Sequence, residues 1–460
     1  MLPDGVFAAA CDLAEDLVSG SGAPFPVCCL QKPDMPDPWP SGAFGTAPAS
    51  SDIPGTISFC APPPNHSKTV FMARNPPIIY LNNAATTWPK PPDVLEAARR
   101  SLALPVFGSG RTTGSQGEDY ITLAREALSR LLAADPPEHV VFTQNATDSL
   151  NLLIQGFLAG QEAGCHVLTT ALEHNSVLRP LHEWERQHGI RLTIIPFEGC
   201  FVSPAAVRAA IEPDTRLMVM NHGSNVLGSV QEIARIGEIL HDHGVYFIVD
   251  GAQTAGHIPV NLRELPVDAY AFTGHKGLFG LPGVGGFYLR DPEAIAPIRF
   301  GGTGTDSFSL LHPREMPERF EAGTHNYPGL AALAAGVDYI MSAGVEAIAA
   351  KAERQTGYLI GELRKAPNIT IYNDRPSLPI VSFNIQGMEN DDVGFILARG
   401  YGIIARTGIH CAPLMHRAID GGVGCVRLSL SWLTTDDECR IAAEAVREIA
   451  DNAYSQVSSP

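Results

Sequence analysis

The stretch of sequence that decides the fold spans residues 246–253 and reads YFIVDGAQ. Four aromatic or apolar residues are followed directly by Asp250 and a glycine. A short apolar run that ends at a glycine is typical of a strand buried in a parallel sheet. Because ligands bind beyond the carboxyl ends of such strands, Asp250 is predicted to face a ligand. Helix capping and metal binding remain open as other uses of this aspartate.

The next apolar run, residues 269–273, leads into the sequence TGHKG at residues 273–277. A lysine beside glycine is often simply solvated, but Lys276 follows the strand that comes next after Asp250. A desolvated lysine has a lowered pKa and supplies the neutral amine that forms a Schiff base. An aspartate that keeps a pyridine nitrogen protonated, combined with such a lysine, is what pyridoxal phosphate requires. The pair therefore predicts a site for that cofactor.

Strands and helices alternate on both sides of this pair. Segments with helical spacing, such as the one containing Ile233, Ile236 and Leu240, separate the apolar runs. This alternation predicts an α/β fold with a mostly parallel central sheet covered on both faces. The predicted strands are residues 140–143, 167–169, 192–195, 217–220, 245–249 and 269–273.

The chain is predicted to have three regions. Residues 1–77 hold 14 of the 37 prolines, which predicts a flexible extension with at most one helix, at 6–18. Residues 78–326 are expected to form the large domain with the central sheet. Residues 327–456 are expected to form a smaller C-terminal α+β domain. Its predicted elements are two alanine-rich helices, strands at 370–372, 380–384, 403–406 and 426–430, and a final helix at 435–451.

A phosphate site is predicted where the first of these strands runs into a helix. The sequence VVFTQNATDS at residues 140–149 places a tight turn between them. Unpaired amides at a helix N-terminus bind anions, so Asn145, Ala146 and the hydroxyl of Thr147 are predicted to hold the phosphate. Ordinary helix capping by Thr147 or Asp148 is the alternative. The turn lacks the Gly-Lys-Ser/Thr ending of a nucleotide-binding loop.

His174 follows another predicted strand, within the sequence LEHN at residues 172–175. Its imidazole would lie at the same sheet edge, where it could stack on a flat heterocycle and move a proton. A purely structural histidine is the alternative. No metal site is predicted, because the histidines at 182 and 188 do not form HExxH and those at 241 and 243 lie on different helix faces.

Composition argues against several classes of function. The 460 residues carry 49 acidic and 32 basic side chains, and the net charge of −17 leaves no basic surface for nucleic acid. The N-terminus lacks the positive region of a secretory signal. The apolar stretch 329–350 contains Asp338 and Glu346, so no membrane span is expected. Nine irregularly spaced cysteines without a CxxC pair favour free thiols and a cytoplasmic location.

Seven stretches, in order over about 370 residues from 78 to 449, together resemble one enzyme family. The chain resembles class V aminotransferases, and within them the cysteine desulfurases and selenocysteine lyases. The resemblance implies the PLP-dependent transferase fold type I and a homodimer. The stretches are YLNNAATT (80–87), EHNS (173–176), HGSNVLG (222–228), DGAQ (250–253), TGHK (273–276), EAGT (321–324) and RTGIHCAP (406–413).

The resemblance also implies a role for each residue of the site. Asn225 and Arg427 would bind the substrate carboxylate, which suits the bidentate geometry of arginine, with Arg406 close by. Asn225 would also touch the cofactor. The other implied contacts are Lys276 with the cofactor aldehyde, Asp250 with the pyridine nitrogen, Gln253 with the phenolic oxygen, His174 with the ring face, Thr147, Thr273 and His275 with the phosphate, and Thr324 contributed by the partner subunit.

Cys411 is the residue that separates the possible activities. In the family, a cysteine on this loop attacks the sulfur of the substrate, leaving alanine and an enzyme persulfide, whereas an inert buried cysteine is the alternative. The resemblance therefore implies a PLP-dependent cysteine desulfurase acting on L-cysteine, with a possible sulfur-acceptor protein as partner. Selenocysteine lyase activity on L-selenocysteine, another class V reaction, and a non-catalytic scaffold remain alternatives. Three residues depart from the family pattern: Ile409, His325 and Asn82. Because Ile409 lies in the cysteine loop, the resemblance does not identify the sulfur acceptor.

Overall fold

The structure, a computed structural model, describes residues 78–105, 118–305 and 307–457, without the side chains of the last four. The predicted extension and its helix at 6–18 lie outside these residues. The strands are β1 Ile79–Tyr80, β2 Val140–Thr143, β3 His166–Thr170, β4 Arg191–Ile195, β5 Thr215–Asn221, β6 Tyr246–Asp250, β7 Ala269–Thr273, β8 Gly285–Leu289, β9 Ile369–Ile371, β10 Ile380–Ile385, β11 Ile403–Ile404, β12 Arg406–Gly408 and β13 Cys425–Ser429.

The helices lie between the strands in the first half of the described chain and dominate the second half. They are α1 Pro92–Ala103, α2 Tyr120–Leu132, α3 Ala146–Leu158, α4 Asn175–His188, α5 Pro204–Ala210, α6 Ile233–Asp242, α7 Tyr327–Ala343, α8 Val345–Leu363, α9 Asn390–Tyr401, α10 Pro413–Ile419 and α11 Asp436–Val457. Short 3₁₀ turns occur at Pro137–His139 and Pro292–Ala294.

A seven-stranded sheet forms the centre of the large region, in the order β2-β8-β7-β6-β5-β3-β4. All pairs among β3 to β7 are parallel, and only β8 runs against its neighbours. The predicted mostly parallel sheet is therefore confirmed. The sequence does not predict β8, because its first two residues, Gly285 and Gly286, weaken the pattern of a strand.

The sheet is covered on both faces, as its apolar strands require. Within β6, Phe247 and Val249 pack into one core while Ile248 packs into the core on the opposite face. Side chains of successive strand residues point to opposite faces, so a strand without polar positions must be buried on both. Only the strand ends are left to carry polar side chains. Asn221, Asp250 and Thr273 end β5, β6 and β7, and Asn221 is the register partner of Asp250.

The C-terminal region has its own antiparallel sheet, in the order β12-β13-β10-β9, and its own core beneath α8, α9 and α11. The first strand of the described chain also belongs here. β1 pairs in parallel with β11, and Ile79 and Leu81 pack into the C-terminal core although the sequence assigns them to the large domain.

The alanine-rich stretch after residue 326 forms α7 and α8, which agrees with the predicted helix pair. Of the helices in the described ranges, none is by itself long and apolar enough to cross a membrane. Only α7 and α8 taken together reach that length and hydropathy, and they are bent by 77° at the break between them.

Candidate active site

A cavity of about 540 Å³ lies at the carboxyl edge of the central sheet. This volume is within the range of ordinary small-molecule sites. Eleven of the site residues predicted from the sequence line it: Asn145, Ala146, Thr147, His174, Asn225, Asp250, Gln253, Thr273, His275, Lys276 and, from the C-terminal region, Arg406.

Asp250 is presented to the cavity by a turn that only glycine can make. A Cβ atom on Gly251 would lie 2.0 Å from the ring of Tyr270, so a side chain there would clash with that ring. The amide of Ala252 donates to Oδ1 of Asp250 at 2.9 Å. Burial raises the pKa of Asp250, while the Ala252 amide and the charge of Lys276 oppose that shift.

Lys276 is half-buried in the turn after β7 and lines the cavity. Burial lowers the pKa of its amine to about 8, the carboxylate of Asp250 opposes this shift, and the guanidinium groups of Arg427 and Arg406 reinforce it. A segment distant in sequence holds the backbone of Lys276, because the hydroxyl of Thr87, 189 residues earlier, donates to the Lys276 carbonyl at 2.7 Å. A buried amine with this pKa is poised to react as a nucleophile near neutral pH.

The opposite end of the cavity can hold a phosphate. Asn145 caps α3 by accepting from the amide of Asp148 at 3.0 Å, so neither Thr147 nor Asp148 is the cap. The hydroxyl of Thr273 and Nδ1 of His275 are buried without a hydrogen-bond partner among the described residues. Unpaired buried polar atoms are costly unless a ligand satisfies them. These atoms, the α3 N-terminus and the enclosed lysine and aspartate fit pyridoxal phosphate.

His174 is both a helix cap and a wall of the cavity. As N-cap of α4 it accepts the amide proton of Ser176 at Nδ1, over 3.1 Å. Burial lowers the pKa of His174 to about 4, and the charges of Lys276 and Arg406 act in the same direction. The ring is therefore neutral near pH 7, with its proton on Nε2. Sequence reasoning overlooks Ser176, whose hydroxyl also contacts that of Thr147 at 2.7 Å.

A buried carboxyl group, Glu173, lies behind Asp250 and was not among the predicted residues. Thr170 and Asn221 donate to its Oε1 at 2.6 and 3.2 Å. Burial raises the pKa of Glu173 to about 8, with the charge of Asp250 adding to that effect, so the group is largely protonated at neutral pH. Asn221 is the last residue of β5. The search for polar residues at the ends of buried strands, which identified Asp250, would therefore have identified Asn221 as well.

Gln253 and Asn225 connect the cavity to other parts of the chain. The amide of Gln253 donates to the carbonyl of Ala84 at 3.0 Å, on the segment that follows β1. The amide of Asn225 donates to the carbonyl of His410 at 2.8 Å, the residue before Cys411. Asn225 therefore ties the cavity wall to the cysteine loop.

The two predicted arginines occupy different positions. Arg427 is fully buried and does not line the cavity; it donates to the carbonyl of Asn225 at 2.7 Å and to Oδ1 of Asn82 at 3.1 Å. Arg406, its register partner on β12, lines the cavity, and its Nη2 lies 3.7 Å from Sγ of Cys411. Asn82, which departs from the family pattern, thus accepts a hydrogen bond from Arg427.

Cys411 lies outside the cavity, in a neighbouring groove between α4 and α10. His174 borders both the groove and the cavity. The Cys411 carbonyl accepts the amide of Asn175 at 2.8 Å, which anchors the loop to the start of α4. His410 and Cys411 have φ angles of 51° and 60°, a left-handed conformation that is uncommon for residues other than glycine. The thiol is half-buried.

Thr324 is exposed and lines a separate cavity of about 290 Å³ that shares Gly283 with the first. Next to it, His325 contacts the buried carboxylate of Glu321 at 3.1 Å, and Arg125 contacts the same group at 2.9 Å. His325, which departs from the family pattern, therefore contacts the buried ion pair of Arg125 and Glu321.

Comparison with protein families gives one match that covers most of the described chain. The model of the Aminotransferase class-V family matches residues 79–441. Two relatives at 33% identity are a probable cysteine desulfurase of Methanothermobacter thermautotrophicus, which covers 81% of this chain and 94% of its own, and a cysteine desulfurase of Cronobacter sakazakii, which covers 81% and 93%. The crystal structure of the cysteine desulfurase CsdA from Escherichia coli superposes with a TM-score of 0.74 at 27% identity, over 82% of this chain and 95% of that one.

Proposed function

The chain belongs to the class V aminotransferase family, and we propose that it is a pyridoxal-phosphate-dependent cysteine desulfurase that converts L-cysteine to L-alanine. One juxtaposition carries this proposal. Lys276 and Asp250 share a cavity with Arg406, and the guanidinium of Arg406 reaches Sγ of Cys411 at 3.7 Å. The side chain of Arg406 thus contacts both the proposed cofactor cavity and the thiol that would act as nucleophile.

The proposed cofactor would be held at both ends of the cavity. Asp250 would bond the pyridine nitrogen, Gln253 the phenolic oxygen, and Thr147, Thr273 and His275 the phosphate, while His174 would pack on the ring. When bound, pyridoxal phosphate withdraws electrons from the substrate and so weakens the bonds at Cα and Cβ. Lys276 would remove the proton from Cα, since its buried amine has a pKa of about 8 and is partly neutral near pH 7.

Arg406 lies between the substrate cavity and Cys411 in the proposed reaction. Its guanidinium faces the cavity, where it would bind the carboxylate of the substrate, with Asn225 beside it. Arg427 would support that site indirectly, because it holds the backbone of Asn225 at 2.7 Å. The structure thus favours Arg406 over Arg427 as the direct contact.

The sulfur leaves the substrate by attack of Cys411. Sγ of Cys411 forms a bond to the substrate sulfur while the bond between that sulfur and Cβ breaks. The electron pair of the broken bond stays with the carbon skeleton, which takes up a proton and leaves as alanine. The sulfur stays on the enzyme as a persulfide, and no external oxidant or reductant is needed. The guanidinium of Arg406 lies 3.7 Å from the attacking sulfur atom of Cys411.

Three further features belong to the same proposal. The enzyme works as a homodimer in which the exposed Thr324 of each chain completes the phosphate site of the other. Selenocysteine is accepted as a second substrate, because selenide is a good leaving group. Cys165, Cys200, Cys411, Cys425 and Cys439 are all free thiols, which supports a reducing, cytoplasmic location.

The test is to incubate the purified protein with L-cysteine, quantify alanine, and measure the intact mass. We expect alanine to form and one sulfur atom to be added at Cys411. Cys411→Ala should keep the visible absorbance of the bound cofactor and stop alanine formation. Cys200→Ala, which removes another half-buried thiol, is the matched control and should be active. Full activity of Cys411→Ala, or release of a keto acid in place of alanine, would contradict the proposal.

A further inference from the structure

A buried cluster of two histidines and a cysteine lies directly beside the Cys411 loop. His410 precedes Cys411, His416 lies in α10, and Cys425 begins β13. The nearest ligand-type atoms of the three side chains all lie within 4.8 Å of one another. All three residues are buried. Each comes from a different element, so the cluster exists only in the folded chain.

The hydrogen bonds of the two imidazoles decide which ring nitrogens remain available. Nε2 of His410 lies 3.1 Å from the Cys425 carbonyl, which can only accept, so Nε2 carries the proton and Nδ1 has the lone pair. Nδ1 of His416 lies 2.6 Å from the carboxylate of Asp420, so Nδ1 carries the proton and Nε2 has the lone pair. Nδ1 of His410 and Nε2 of His416 are both buried without a partner among the described residues.

Two buried lone pairs without a hydrogen-bond donor cannot bond each other. A group that accepts electron pairs from both is needed to satisfy them, and the thiol of Cys425 adds a third potential donor of electrons. Metal-binding histidines usually donate their other ring proton to a carboxylate or a backbone carbonyl, which fixes the ring for the metal. Asp420 and the Cys425 carbonyl occupy these two positions.

We propose that Nδ1 of His410, Nε2 of His416 and Sγ of Cys425 bind a zinc ion that ties the Cys411 loop to α10 and β13. Two imidazoles and a thiolate suit Zn²⁺, whereas Mg²⁺ and Ca²⁺ prefer oxygen ligands. Zinc bonds are about 2.0–2.1 Å long to nitrogen and about 2.3 Å to sulfur, so ligand atoms around it are about 3.5 Å apart. Separations of up to 4.8 Å between the ligand atoms would therefore have to shrink by up to about 1.3 Å on zinc binding. A water molecule completes the tetrahedron.

The ion would have a structural role at the proposed active site. His410 and Cys411 hold left-handed backbone angles that cost free energy and persist only where surrounding contacts enforce them. A metal bond to the side chain of His410 holds the residue next to the thiol, while Asn225 holds its carbonyl. The binding site itself does not depend on the desulfurase activity, so the two proposals can fail separately.

The test measures zinc in the full-length protein, purified with its cofactor, then exposed to excess Zn²⁺ and freed of loose metal by gel filtration. We expect about one zinc per chain. Cys425→Ala and His416→Gln should each lower the retained zinc by at least about tenfold. Cys165→Ala, which removes another buried free thiol, is the matched control and should keep it. Because Cys28 and Cys29 are also possible metal ligands, the comparison between Cys425→Ala and Cys165→Ala is decisive.

A second measurement needs no variant and is therefore independent of any folding defect. X-ray absorption of the zinc-loaded protein should show two nitrogen ligands from imidazole, one sulfur and one oxygen. Cobalt substitution should give a thiolate-to-cobalt absorption band that Cys425→Ala abolishes. Failure of the unaltered protein to retain zinc, or retention by Cys425→Ala, would overturn the proposal.

Discussion

At Lys276, opposing effects set the charge of a single amine. Burial removes the water that stabilises an ammonium ion and lowers the pKa to about 8, whereas the carboxylate of Asp250 pulls the pKa back up. Arg427 and Arg406 act with burial. The balance leaves a lysine that is partly neutral at pH 7, while an exposed lysine would be almost wholly charged.

We predict that capture of pyridoxal phosphate by the cofactor-free protein follows the titration of this amine. Because only the neutral amine reacts, the capture rate should rise with pH and reach half its maximum near pH 8, not near the usual lysine pKa. Asp250→Asn should move the midpoint to lower pH, since it removes the charge that favours the ammonium form. The rate is measured by the growth of visible absorbance after mixing.

Lys276→Ala is the control for that experiment, because it should show no covalent capture at any pH. Lys365 pairs with Glu362 on the surface, so Lys365→Ala should leave the capture rate unchanged. A midpoint at pH 10 or above in the unaltered protein would show that the amine is not desolvated.

At the scale of secondary structure, residues of the proposed site cap the N-terminus of α4. His174 accepts the Ser176 amide, and the Cys411 carbonyl accepts the Asn175 amide, so two unpaired amides at the start of α4 are satisfied by residues of the proposed site. The start of this helix, the histidine ring and the cysteine loop are therefore held together. A change in one of them should affect the position of the other two.

We predict that His174→Asn separates the structural role of this residue from its chemical role. Asparagine is a good N-cap, so the free energy of unfolding should stay close to that of the unaltered protein, whereas His174→Ala should lose about 1 kcal/mol. Both variants lack the ring and should form alanine about 10²–10⁴ times more slowly. Thermal unfolding and alanine assays check the two roles, and an active His174→Asn enzyme would show that the ring is not needed.

At the scale of the whole molecule, one exposed apolar segment points to assembly. Phe308 and Leu310 are fully exposed and Leu311 is 82% exposed. Neighbouring apolar side chains without cover are typical of protein interfaces. The proposed homodimer would cover them and bring Thr324 to the partner's phosphate site.

We predict that the protein is a dimer by light scattering and that Leu310→Asp combined with Leu311→Asp converts it to a monomer. Buried carboxylates without partners would oppose association strongly. Cofactor affinity should fall when dimerisation is lost, because the partner's threonine no longer reaches the phosphate site. Phe395→Asp changes an apolar residue on α9 that is 64% exposed, and this control should remain dimeric. A dimer that survives the double substitution would place the interface elsewhere.

Local sequence patterns were sufficient for every strand of the central sheet except β8, and for the polar edge of the sheet. The apolar runs before Asp250 and before Lys276 predict buried strands. Parallel strands bring their carboxyl ends to one edge of the sheet, where these two residues meet. The predicted strands at 140–143 and 269–273 match β2 and β7 at both ends. Ser203 caps α5 and Pro204 is its first residue, which is a pattern typical of a helix start.

Contacts between distant segments could not be predicted in this way, because no local pattern reports them. The placement of Ile79 and Leu81 in the C-terminal core depends on pairing with β11, over 300 residues away. Burial of Glu173, which raises its pKa, depends on packing from several strands. The cluster of His410, His416 and Cys425 has no metal-binding spacing, since its members come from three separate elements.

The sequence alone determined the α/β architecture and the residue types at the sheet edge, because strand burial and side-chain chemistry are local properties. Tertiary structure decided which of these residues share one cavity. It put Arg406 in contact with the cavity and with Cys411, buried Arg427 behind Asn225, and left Thr324 exposed. The reason is that burial and distance, which set charge and reactivity, depend on long-range packing of the whole chain.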